Sequence, residues 1–173
     1  MPATWKESLH QLLNQRRYEV GDSPRIAVLG VGNPTRSDDA AGVLAARLLM
    51  QRELARVDHV LLIEAGQAPE NRTGELRKFR PDLVLLLDAA DMGDMPGVVQ
   101  WIPLESIDGM SASTHSLPLS ILAHYLKVEL NCTVAVLGIQ ALSNEVGEQV
   151  SPEVSKAIYE IVEELDQVLQ GTT

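Results

Sequence analysis

The stretch Arg25–Gly42, RIAVLGVGNPTRSDDAAG, decides the fold. It opens with RIAVLGV (25–31), an apolar run without polar alternation, turns through glycine, asparagine and proline, and reaches two adjacent acids. Beyond them, within 38–53, Ala41, Leu44, Ala45 and Leu48 fall on one helical face. A continuous apolar run reads as a strand covered on both sides, as in a parallel sheet. HVLLIEA (59–65), DLVLLLDA (82–89) and TVAVLGI (133–139) have the same character.

Helical patterns separate or follow these runs. In 116–130, Leu119, Leu122, Leu126 and Leu130 share a face. In the C-terminal segment Val154, Ile158, Ile161, Val162, Leu165, Val168 and Leu169 are in register, with Ser151-Pro152 as start and Gly171 as stop. Strands alternating with helices predict an α/β domain. GVVQWI (97–102) follows the third strand after a loop shorter than the dozen or so residues a parallel crossover needs, so it is expected to run antiparallel. An N-terminal helix with Trp5, Leu9, Leu12 and Leu13 on one side, then a polar linker through Ser23-Pro24, reads as an extension (1–24) ahead of a single domain (25–173).

The composition narrows the function classes. The 173 residues carry a net charge of -10, with 45% hydrophobic and 22% charged residues. That balance argues against nucleic acid or an anionic membrane as partner. No apolar run approaches the ~20 residues that span a bilayer. The N-terminal segment is amphipathic and contains Glu7, unlike a secretory signal. With Cys132 the sole cysteine, an intrachain disulfide is excluded and a reducing, cytoplasmic setting is expected.

In an open parallel sheet, ligands bind beyond the carboxyl ends of the strands. Three acidic loops are predicted there: GNPTRSDD, EAG (64–66) and DAADMGD (88–94). Gly30 and Gly32 begin a dinucleotide fingerprint, but Thr35 holds its third glycine position and Glu64 lies well beyond the ~20-residue spacing of a ribose-binding acid. Asp38 and Asp39 in the first helical turn would also repel a pyrophosphate. Helix capping accounts for one of these acids and leaves the other unexplained. Asp88 fits a strand-end turn equally well, and Asp91 and Asp94 read as solvated loop acids.

Among the four histidines, His10, His59 and His124 fall on predicted helices or a strand entry. His115 sits in a polar loop, SASTHSLPLS, running into a helix. With Asp39 and Asp88 it supplies one nitrogen and two oxygens, a donor set suited to a divalent transition metal. An Asp39–Asp88 dyad sharing a proton is a second possibility. Cys132, at the start of an apolar strand, reads as a small hydrophobe.

LGVGNPTRSDDAAG (29–42), GQAPEN (66–71), LRKFRPDLVLLLDAADMG (76–93), STHSLPL (113–119) and VLGIQ (136–140) occur in the order seen in one family. The chain resembles the hydrogenase maturation endopeptidases, most closely the subtype serving the formate-hydrogenlyase hydrogenase. The resemblance implies a three-layer sandwich, with a twisted, mostly parallel sheet of about five strands between helices. It implies a monomeric protease that clips the C-terminal extension from the large-subunit precursor of a nickel–iron hydrogenase, with nickel supplied by that precursor and no organic cofactor. The family's metal-contacting positions fall on Asp39, Asp88 and His115. Gly32, Asn33, Asp38, Glu64 and Asp91 around the turn are expected to contact substrate. Ala40 stands where glycine is frequent in the family, and Glu64 stands where an aspartate is. A non-catalytic nickel-delivery or sensing module would use the same acids, and a dinucleotide-dependent oxidoreductase is the third reading.

Overall fold

The computed structural model describes residues 1–21, 23–109 and 119–171. Strands β1 (Ile26–Val31), β2 (Val60–Gly66), β3 (Leu83–Ala90), β4 (Val99–Ile102) and β5 (Thr133–Gln140) form one sheet in the order β2-β1-β3-β5-β4. All neighbours are parallel except β4, which pairs antiparallel with β5 through Val99↔Ile139 and Ile102↔Val136. The predicted mixed sheet is therefore the observed one.

Each sheet face carries its own helical layer, and the alternation of side chains along the strands sorts the core in two. Ile26, Val28, Leu83, Leu85, Leu87 and Leu137 point toward α1 (Trp5–Val20), α2 (Ala41–Met50) and α5 (Pro152–Gln170). Ala27, Leu29, Val31, Val84, Leu86 and Val136 point toward α3 (Thr73–Phe79) and α4 (Leu119–Leu130).

The N-terminal helix is more than an extension. Trp5, Leu9 and Leu13 join the same core as β1 and α5, and Thr4 and Glu7 close a capping box at its start. Helix α3 has no counterpart in the apolar pattern: of its seven residues only Leu76 is buried. The helix expected from 38 begins instead with a 3₁₀ turn, Ser37–Ala40, all four residues buried, before α2 proper.

Two backbone approaches set the geometry where β1 feeds α2. Gly42 rests on the strand ends: a β-carbon there would lie 2.1 Å from the Leu87 carbonyl oxygen and 2.4 Å from that of Val31. Gly32, at φ 136°, passes so close to the Asp39 carbonyl oxygen that a β-carbon would stand 1.9 Å from it. Only glycine satisfies both the torsion and the contact.

Candidate active site

The chain runs from β1 to β2 on one side and returns to β3 on the other, so the connections diverge between the carboxyl ends of β1 and β3. Gly30 pairs with Leu87, which sets Val31 beside Asp88. Gly32 follows Val31 and abuts Asp39. Asp39 and Asp88, far apart in the chain, thus reach adjacent strand ends, and each is 2% exposed.

The turn that delivers Asp39 is built from its own polar groups. The Gly32 amide donates to the Gly66 carbonyl (2.9 Å). Asn33 Oδ1 accepts from the Thr35 amide (2.9 Å) and hydroxyl (2.7 Å), an Asx turn that shapes the loop. The Asn33 amide donates to Asp39 Oδ2 (3.1 Å). Asp39 Oδ1 is buried with no hydrogen-bond partner among the described residues. Leaving a buried polar atom unsatisfied costs about 1–3 kcal/mol, more when it is charged. A carboxylate held in that state is suited to a cation that arrives from outside.

Asp38, next in line, has the opposite environment. It is fully buried. Oδ1 accepts from the Ser151 amide (2.7 Å), and Oδ2 from the Leu142 amide (2.8 Å), the Ser143 amide (3.1 Å) and the Ser151 hydroxyl (3.0 Å). Ser151 therefore occupies the N-cap of α5 while its hydroxyl serves Asp38. Asp38, expected to contact substrate, is here buried with its carboxylate engaged by the loop between β5 and α5.

Asp88 has the same alternation as Val84 and Leu86, and so belongs to the face covered by α4. The His115 assignment lies outside the described residues. Among the described residues no group of three histidine, cysteine, aspartate or glutamate side chains forms a metal cluster.

Glu64 is held by Arg47 of α2 in a two-pronged ion pair, at 2.9 and 2.6 Å, and that hydrogen bonding lowers its carboxyl pKa below the ordinary range. Asp91 is exposed and accepts from the Gly93 amide (3.3 Å) and Gln140 Nε2 (3.4 Å). Gln140 is a positioning residue that sequence reasoning passed over. Nearly buried at the end of β5, it accepts through Oε1 from the amides of Met92 (2.7 Å) and Asp94 (3.2 Å), fixing the loop that leaves β3. A polar residue closing the apolar run TVAVLGIQ was the available signal.

The other chemistry-bearing side chains lie elsewhere. Cys132 is 6% exposed, and burial pushes its thiol up to about 11. His10 pairs with Glu164 at 2.7 Å on the surface between α1 and α5. At the start of α2 two buried carboxylates occupy the position a dinucleotide pyrophosphate would need, which removes the oxidoreductase reading.

Comparison with known proteins bears on the chain's family and fold. The family HycI, hydrogenase maturation protease, matches residues 44–168. The hydrogenase 3 maturation protease of Escherichia coli K12 is 38% identical over 114 residues, 65% of this chain and 70% of that protein. The crystal structure of the [NiFe] hydrogenase maturation protease HycI from Thermococcus kodakarensis superposes with a TM-score of 0.79 at 33% identity, covering 92% of this chain and 99% of that one. The solution structure of the Escherichia coli endopeptidase HycI gives 0.73 at 31% identity, over 82% and 89% of the two chains. By sequence and by fold, the chain belongs to the hydrogenase maturation protease family.

Proposed function

We propose that this protein removes the C-terminal extension from the nickel-loaded large-subunit precursor of a nickel–iron hydrogenase. The observation that carries the reading is the buried Oδ1 of Asp39, without a hydrogen-bond partner among the described residues, on the same edge of the sheet as the buried Asp88.

The nickel belongs to the substrate. Asp39 and Asp88 offer it oxygen, and His115 offers an imidazole nitrogen. Two carboxylates and one imidazole form an incomplete set for nickel, which binds more firmly when softer thiolates from the precursor complete it. Selectivity for the loaded precursor follows, since the ion is part of the surface being recognised. The ion's contribution is to hold the peptide in place and draw charge from the scissile carbonyl. A carboxylate of the pair takes the proton of the attacking water and returns it to the leaving amine. Gly32, lacking a side chain, lets the peptide approach the backbone beside Asp39, and the Asn33 amide engages Oδ2, which leaves Oδ1 available to the ion.

The test is to mix the purified protein with a nickel-loaded large-subunit precursor and weigh the products. Loss of the C-terminal extension is expected with the wild-type protein and not with Asp39→Asn. Retention of the extension with the wild-type protein would instead favour a module that delivers or senses nickel without cutting.

A further inference from the structure

The ten residues 141–150 between β5 and α5 form no helix or strand and are mostly exposed, yet they are fastened at close intervals. Beyond Ala141, whose amide donates to the Ala90 carbonyl (3.2 Å), the bonds that leave the loop go to the segment just before Asp39. The amides of Leu142 and Ser143 donate to Asp38 Oδ2, and the Asp38 amide donates back to the Ser143 carbonyl (3.1 Å). The Gly147 amide donates to the Thr35 carbonyl (3.0 Å), and the Ser37 hydroxyl to the Gln149 carbonyl (3.0 Å). Ser151 closes the series through both its amide and its hydroxyl. Within the loop the Ser143 hydroxyl bonds Glu148 (2.9 Å) and receives the Glu145 amide (3.2 Å). Ser37 is itself held at φ 42°, a left-handed conformation that a serine adopts at a cost and only when its surroundings over-determine it.

A long loop fixed this firmly ordinarily turns its apolar side chains inward. Here Leu142 and Val146 point out, 60% and 70% exposed. Met95, 73% exposed on the loop leaving β3, stands on the same rim.

We infer that residues 35–38 and 142–151 form one rigid ledge beside Asp39, and that Leu142 and Val146 on it dock an apolar segment of the polypeptide substrate flanked by basic residues. This rests on the peptidase reading above. Three features favour that occupant. The ledge is continuous with the catalytic turn. Its order is in place before binding, so docking forfeits little conformational entropy. And Glu145 and Glu148 border the apolar pair on a chain of net charge -10, which suits basic flanks on the partner. In this arrangement Asp38 is a positioning residue that ties the recognition surface to the turn bearing Asp39.

The experiment compares steady-state cleavage of a nickel-loaded precursor by wild type, L142S/V146S and V128S, with thermal unfolding of each. Val128 is 83% exposed on α4 and serves as the remote control. For the double variant KM is expected to rise at least about tenfold while kcat changes less than about twofold. V128S is expected to match wild type. The added Ser side chains replace exposed groups, so the unfolding temperature should hold; should the double variant unfold, V146S alone carries the same expectation of raised KM. Unchanged KM in the ledge variants, with a wild type that cleaves, overturns the docking surface and leaves the peptidase reading standing. A wild type that cannot cleave overturns both.

Discussion

Gly42 and Leu87 are in backbone contact across the helix–sheet boundary, with room for a hydrogen and none for a methyl. Adding that methyl raises helix propensity by about 1 kcal/mol. Forcing it against two carbonyl oxygens costs about 1–3 kcal/mol or more, since backbone on both sides must move. Gly42→Ala should therefore lower stability, and because α2 carries the turn above it, cleavage should fall as well. Urea unfolding monitored by circular dichroism, paired with the precursor assay, checks both.

The neighbouring acids should respond in opposite ways to loss of charge. Asp39→Asn removes a half-partnered buried carboxylate and is expected to leave stability unchanged or raise it by about 1 kcal/mol. Cleavage should drop at least about a hundredfold. Asp38→Asn turns an amide group toward donors that need acceptors, and should cost about 2–4 kcal/mol. Equal stability losses in the two variants would contradict the division of roles.

Glu64→Gln should fold and cleave much as wild type, with under about 1 kcal/mol lost, because the Arg47–Glu64 pair lies near the surface where water screens it. Its carboxyl pKa is lowered from 4.5, so the pair's contribution is present above that value and disappears as pH falls through the lowered one. A shallower acid limb in the stability profile of the Gln variant is the measurable sign.

Cys132 should resist alkylation in the folded protein. Burial moves its thiol from 9.0 to about 11, and the thiolate is the reactive form. The native protein keeps the proton that the unfolded chain releases, so this stabilisation is full below pH 9.0 and lost as pH rises toward about 11. Iodoacetamide labelling followed by mass, with and without denaturant, across that window tests both statements.

Helix α1 should be indispensable to the fold. Leu9 is completely buried, and Leu9→Ala is expected to cost about 2–5 kcal/mol. A loss below about 1 kcal/mol would mean that the helix is merely appended.

The four parallel strands were readable because a strand buried on both faces leaves a run such as LVLLLDAA with no polar interruption. The antiparallel β4 was readable from the shortness of the loop before it. Helix α3 was not, since a seven-residue helix with one buried side chain has no period to detect. The apolar face of α1 was visible, but what it would cover was not: it meets β4 and α5, both remote in sequence. Asp38 and Asp39 look alike as first-turn acids. What separates them is a set of donors at residues 142, 143 and 151, over a hundred positions away. No local pattern records such a distance.

The four bonds gathered by Asp38 also bear on how the molecule comes into being. All of their donors are encoded after residue 141, while the acid they surround leaves the ribosome among the first forty residues. A chain that ends before Leu142 lacks every one of these donors, so burying Asp38 in its native place would leave that carboxylate without them.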